Sequence, residues 1–290
     1  MANIRDLRQR IRSVGNIQKI TRAMEMVATT KLRRFQGRTI AAKPYSGRLE
    51  ELVRALSVAM AGSPESAGEA APLFRPGNVA APRGLLLVSS DRGLCGAYNS
   101  NLFRLLEDEM QRSGGKTAIY VIGRRGMAYC ARRRFPVAAY FEQVNLERLE
   151  FGTAAAVSNA LVADFRAGKI STVSVIATRF VSMMKYVPED NSFLPIAPSQ
   201  ERQGGLGETL LEPSGAALLG RLVPLYLETR VFHAMLEAVT SEYASRRFAM
   251  KNATEAAGDM KKSLTRDYNR ARQARITTEI LEIVSGAEAL

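Results

Sequence analysis

From Leu225 onward, apolar and small residues recur at Leu225, Thr229, Phe232, Leu236, Val239, Tyr243, Met250, Ala253, Ala257, Met260, Leu264, Ala271, Ala274, Thr278 and Leu281. The steps are threes and fours, broken only where Arg246 and Asp267 take the expected places. No proline follows Pro224, and glycine occurs only at Gly258 and Gly286. This is the pattern of one long helix with a narrow buried stripe. Over residues 225–286 it would extend roughly 90 Å. A chain of 290 residues has no compact core of that length, so the helix requires a partner helix.

The other end of the chain supplies one. Ile4, Leu7, Ile11, Val14, Ile17, Ile20, Met24, Val27, Leu32 and Phe35 keep a similar spacing. Gly15 and Gly37 weaken the pattern without ending it. Pro44 is expected to kink or locally break the helix. Leu49, Leu52, Val53, Leu56 and Met60 carry it on to about residue 60. The two ends therefore predict an antiparallel coiled coil: an N-terminal helix over 1–60, a Gly/Pro/Ala-rich linker over 61–82, and a C-terminal helix over 206–290.

Residues 83–205 read differently. Gly84–Ser90 is a buried-strand run, followed by a turn and a helix over about 99–112. A β-rich run over 117–122, a helix over 126–134, a short strand over 136–141 and a helix over 153–167 follow. The β-branched run 171–178 comes next, with 179–184 extending or pairing with it. Strands alternating with helices predict a Rossmann-like, doubly wound and mainly parallel sheet, so the fold class is α/β with long helices.

Charge and composition bound the function. The net charge is +13, and 32 of the 41 basic residues are arginine, which suits fixed, forked contacts with acidic partners. Residues 1–60 hold 13 basic and 4 acidic residues, so most of the excess lies on the first helix. Such a segment is either a binding surface or a solvated face. Two cysteines and one histidine exclude a disulfide framework and any His-rich or Cys-rich metal site. No run reaches the ~18 apolar residues of a membrane span. The N-terminus lacks a signal-peptide apolar stretch, which predicts an unprocessed chain.

The candidate chemical motifs are weak. Ser90-Asp91-Arg92-Gly93-Leu94-Cys95-Gly96 sits between strand and helix, where α/β sheets bind ligands. It lacks both glycine patterns of nucleotide cradles, which favours a structural turn or a protein contact. Cys95 and Cys130 are expected as packed or free thiols, and His233 as a structural helix residue. Arg124-Arg125 and Arg132-Arg133-Arg134 could meet an anionic surface or simply face solvent. A basic coiled-coil protein binding nucleic acid or an anionic membrane is the alternative reading, but the first helix has little aromatic content and no nucleic-acid motif.

Three separated segments carry a resemblance. Asn3-Ile4-Arg5-Asp6-Leu7-Arg8-Gln9-Arg10-Ile11 with Ile17–Ala28 is the first, Ser90–Asn99 the second, and Tyr268–Ala287 (YNRARQARITTEILEIVSGA) the most specific. In this order, and over essentially the whole chain, they resemble the gamma subunit of F-type ATP synthase. The resemblance implies a central rotor shaft that couples ion flow to sequential changes at the catalytic sites and regulates ATPase activity and ion flow. It also implies no catalytic site, cofactor, metal or bound nucleotide of its own. The implied partners are the alpha and beta subunits of the catalytic ring, the epsilon subunit and the c-subunit ring; no nucleic acid is expected.

Carried over by position, Arg272 and Gln273 match residues that contact a loop of the ring. Thr277 and Glu279 match neighbours in the same polar cluster, and Met24, Arg246 and Glu282 match positions tied to shaft–ring contact and coupling. Arg275 departs from the small residue usual there and adds charge beside the cluster. The absence of a dithiol insert and of a transit peptide points to a bacterial form, peripheral to the cell inner membrane on its cytoplasmic side.

Overall fold

The computed structural model describes residues 4–59, 64–197 and 214–288. The elements are helix α1 (Ile4–Ala59), strand β1 (Arg83–Val88), α2 (Tyr98–Arg112), β2 (Thr117–Ile122), α3 (Arg124–Arg133), β3 (Val137–Tyr140), α4 (Phe151–Arg166), β4 (Val173–Phe180), β5 (Tyr186–Leu194) and α5 (Gly215–Glu288). The chain forms two compact units, one of residues 1–30 with 246–290 and one of residues 31–245.

The larger unit is built on a five-stranded sheet in the order β3-β2-β1-β4-β5, parallel except for the antiparallel β4–β5 hairpin. Strands β1 and β2 read as unbroken apolar runs because both faces are covered. On one face Leu85, Leu87, Ile119, Val121 and Ile176 pack with Leu102 and Leu106 of α2 and Cys130 of α3. Each such fully buried leucine contributes about 1.5–3 kcal/mol. Tyr120 points to the opposite face by strand alternation. Its hydroxyl donates to Asp164 Oδ2 of α4 at 2.7 Å, which places α4 on that second face. Burial and the Asp164 carboxylate together push the Tyr120 phenol well above its usual range.

The passage from β2 into α3 is tight. Ser89 Oγ donates to Ile122 O at 2.9 Å and accepts from Gly126 N at 2.8 Å. Gly123 turns between them with φ 93°, and a Cβ there would lie 2.2 Å from Ser89 O. No other residue type fits that position.

In this unit α1 and α5 run antiparallel against each other. Thr39 and Thr240 share a hydrogen bond between hydroxyls at 3.0 Å, and the rings of Phe35 and Tyr243 stack at 5.7 Å. The segment that reads as a linker contains 3-10 turns over Pro64–Phe74, broken at Gly68. Leu73 is buried, and its carbonyl accepts from Ile196 N at 2.8 Å. Pro and Gly keep this stretch from becoming an α-helix, while one leucine anchors it. Pro44 lies inside α1 and does not end it.

Two further boundaries differ from the sequence reading. Helix α5 begins at Gly215, so Pro224 is inside it rather than before it. Of the segment 179–184, expected to extend or pair with the preceding strand, Arg179 and Phe180 extend β4, and the pairing partner is instead β5 at 186–194, with the reversal at 181–185. Val181 and Ser182 N–H groups donate to Lys185 O across this turn, so the apolar side chains there cap a hairpin instead of pairing in it. The expected boundary at 205/206 lies outside the described residues.

The smaller unit is a helix pair. Thr254 Oγ1 donates to Thr21 Oγ1 at 2.8 Å. Gln18 lies over Gly258, where a Cβ would be 2.9 Å from its Nε2, and Lys261 lies beside Gly15. Numbers fall along α1 as they rise along α5, so the pair is antiparallel. The inward stripe of α1 is Leu7, Ile11, Val14, Gln18, Thr21, Glu25 and Ala28. Its steps alternate strictly between four and three, which keeps it on one seam. Val14–Ile17–Ile20 uses successive threes and walks off that seam by about 60° per step. Ile17, Ile20 and Val27 are consequently exposed instead of buried, as is Met260 on α5. Gly258, Lys261 and Tyr268 line the α5 side alongside Met250, Thr254, Ala257, Leu264 and Ala271.

Candidate partner-contact surface

The register of the helix pair brings Ile4, the first described residue of α1, level with about Arg272 of α5. From Arg272 to Ser285 every α5 side chain is exposed. Ile276, Ile280, Leu281, Ile283 and Val284 stand in this bare stretch, with Ile283 71 % exposed. A cluster of five large aliphatic side chains in water is the mark of a surface that another molecule covers.

At 100° per residue, Arg272, Arg275, Glu279 and Glu282 fall within an arc of about 80° and form one charged stripe. Arg275 Nε donates to Glu279 Oε1 at 2.7 Å, so the arginine holds its neighbour's carboxylate in place. Gln273 and Thr277 lie about 100° and about 140° around the helix from Arg272, and Thr277 Oγ1 donates to Gln273 O at 3.0 Å. Between these stripes run Ile276, Ile280 and Ile283. The helix thus brings five of the seven expected contact residues together: Arg272, Gln273, Thr277, Glu279 and Glu282.

The other two are elsewhere. Met24 is half-buried on α1, and Arg246 is only 7 % exposed and has polar or charged partners within the chain. Beside Met24, the exposed Ile17, Ile20 and Val27 form an apolar strip on α1 that sequence reading assigned to the seam. The signal that separates them is the step rule above: a heptad stripe cannot hold two consecutive threes.

The strand-end turn of the α/β domain is occupied by its own hydrogen bonds. Ser90 Oγ donates to Arg92 O at 2.8 Å and lies 2.7 Å from Asn99 Nδ2. Arg124 N donates to Asp91 Oδ1 at 3.1 Å. This is a structural turn closed by its own hydrogen bonds, with Leu94 (φ 61°) exposed at its tip. Cys130 is buried, and desolvation pushes its thiol up to about 11, which makes it unreactive near neutrality. Arg133 pairs with Glu107 at 2.7 Å, and Arg132 and Arg133 lie over the Tyr129 ring at 5.4 and 5.7 Å. Part of the arginine cluster is therefore held by its own domain. His233 is inward on α5, and burial, with Lys43 nearby, holds its pKa below the usual value. Among the described residues no three His, Cys, Asp or Glu side chains are grouped to hold a metal ion. No described helix is long and apolar enough to cross a membrane.

The larger unit holds a doubly wound sheet, and the smaller one ends in a bare, charged and aliphatic helix; an uncovered surface of that kind defines a protein that works by engaging others. The family model described as ATP synthase matches residues 3–290. The chain is 42 % identical to an ATP synthase gamma chain of Moorella thermoacetica over 290 residues, covering all of both chains. Its fold is similar to that of a chain in the Euglena gracilis mitochondrial ATP synthase rotor, with TM-score 0.64 and 16 % identity, covering 94 % of this chain and 98 % of that one. A chain in the F1/c-ring structure of the same organism gives TM-score 0.66 and 17 % identity, covering 99 % and 94 %. The chain belongs to the family of ATP synthase gamma chains. Within that family it is a non-catalytic subunit of the ATP synthase complex.

Proposed function

We propose that the exposed end of α5 is the bearing on which this rotor shaft engages the ring of alpha and beta subunits. Arg272, Gln273, Thr277, Glu279 and Glu282 make the polar contacts there, and Met24 and Arg246 act from the helix pair behind it. The carrying observation is the bare stretch 272–285, where aliphatic and charged side chains alternate around a single helix. A mixed surface of this kind suits a part that must be held and still turn. Apolar residues give it a dry contact, while charges give orientation more than affinity. A rigid helix then biases each catalytic site's conformational equilibrium in sequence.

The division into an N-terminal helix (1–60), a linker (61–82), an α/β domain (83–205) and a C-terminal helix (206–290) belongs to the same reading. The α/β domain forms the base, with the epsilon subunit and the c-subunit ring as its partners. The subunit then lies on the cytoplasmic side of the bacterial cell membrane, peripheral to it, and regulates both ATPase activity and ion flow. Membership of the gamma-chain family and the likeness to rotor structures support this placement.

Affinity purification of the tagged chain from its source cell tests the reading. Alpha, beta, epsilon and c subunits are expected to co-purify. Recovery of the chain alone, or with nucleic acid, would overturn it.

A further inference from the structure

In a doubly wound sheet, ligands sit outside the carboxyl ends of the strands where the strand order reverses. Here β1 leads through α2 to β2 on one side, while β4 lies on the other side of β1. The reversal is therefore between β1 and β4, and the crevice lies between the loop after β1 and the end of β4.

That crevice is filled by the chain itself. Ser241 Oγ of α5 donates to Thr178 O at the end of β4, at 3.3 Å. One helical turn later, Ser245 Oγ donates to Cys95 O in the loop after β1, at 2.6 Å. Tyr186 OH at the start of β5 donates to the same Ser245 Oγ at 2.9 Å. Ser241 is fully buried and Ser245 nearly so. Two hydroxyls spaced i, i+4 thus straddle the reversal point, one on each strand's outgoing segment. On the neighbouring face of α5, Thr240 meets Thr39 of α1. A core helix has no need of hydroxyls on two faces for packing alone. Buried hydroxyls impose direction, because each must keep its partner.

We infer that Ser241 and Ser245 are positioning residues that key α5 into the α/β domain and prevent it from slipping when the domain drives the helix. The inference rests on the rotor reading above. The keys use the place where related sheets hold a ligand, so the ligand crevice serves here as a mechanical socket. Apolar packing resists separation but gives little resistance to sliding about the helix axis, whereas two directed hydrogen bonds on adjacent turns fix the rotational setting.

The test uses the complete complex in liposomes, carrying the wild-type chain or the double substitution Ser241→Ala with Ser245→Ala. ATP hydrolysis and ATP-driven ion uptake are measured together, with and without an opposing ion gradient. Hydrolysis is expected to stay within twofold of wild type. Ions moved per ATP are expected to fall at least threefold against the gradient, and less without it. Each single substitution is expected to give a smaller loss. Unchanged ions per ATP under load overturn the inference. So does a double variant that fails to assemble while both single variants assemble and pump as wild type, because the hydroxyls then act in folding alone. Failure of the wild-type chain to assemble with ring subunits would instead overturn the rotor reading.

Discussion

Lys31 Nζ and Glu147 Oε2 lie 2.6 Å apart and join α1 to the turn that precedes α4. Tyr243 OH of α5 donates to the other oxygen of the same carboxylate at 2.6 Å, so three segments distant in sequence meet on one side chain. Partial burial opposes ionisation of Glu147, but Lys31 and Tyr243, with Arg92 behind them, hold its pKa below the ordinary value. The stabilisation is therefore present at neutral pH and is lost as pH falls through the lowered folded-state pKa. Glu147→Gln is expected to cost about 1 kcal/mol at pH 7, because the carboxylate is a third exposed and solvent screens it. The cost should disappear at acid pH. Thermal melts of both proteins at pH 7 and below pH 4 check this; equal differences at the two pH values would remove the ion pair as the cause.

Glu237 behaves in the opposite sense. Burial raises its carboxyl pKa to about 7, with Glu189 adding to the rise and Arg179 and Lys43 opposing it. Arg179 is already engaged by Glu189 at 2.7 Å. His233 Nδ1 lies 3.9 Å away, and burial favours its neutral form. A carboxyl whose folded pKa exceeds its unfolded one binds more protons when folded. Stability should then fall as pH rises from about 4.5 to about 7, by up to ~3 kcal/mol. Glu237→Gln should flatten that slope and raise the melting temperature at pH 8. A slope that survives the substitution places its origin elsewhere.

Gly123→Ala should be severely destabilising. Its left-handed φ and the 2.2 Å approach to Ser89 O leave no room for a methyl group, so the β2–α3 connection must move. A loss of at least ~3 kcal/mol is expected. Denaturant unfolding measures it, with Gly37→Ala as the control, since nothing lies within 4 Å of a Cβ at that position.

Replacing Arg272 and Gln273 together with Ala should leave the isolated chain's stability within about 0.5 kcal/mol, because both side chains are exposed. The assembled complex should lose turnover or coupling. Wild-type ATP turnover and ion movement in that complex would remove these two residues from the bearing.

The sequence made the long helices and the α/β middle legible because each rests on local periodicity, and the specific run Tyr268–Ala287 made the family legible. It was less informative where tertiary packing decides. Pro44 and Pro224 stand within helices that the surrounding packing maintains, although proline propensity argues for breaks. Ile17 and Val27 are as apolar as any seam residue; the consecutive threes through Val14, Ile17 and Ile20 are the one sequence signal against them, and the antiparallel register with α5 places Gln18 and Ala28 at the inner positions. Arg246 reads as a surface contact by type and position, yet its side chain is buried. The socket of Ser241 and Ser245 had no sequence signature beyond a cluster of small polar residues in an otherwise regular helix. Its meaning depends on where β1 and β4 end.

The isoleucines of the α5 end have a consequence for the cell as well as for the motor. In the chain by itself Ile276, Ile280 and Ile283 stand in water along the α5 end. On the bearing proposed above, a copy made in excess of its ring would keep this aliphatic face in water, where it favours association with other apolar surfaces.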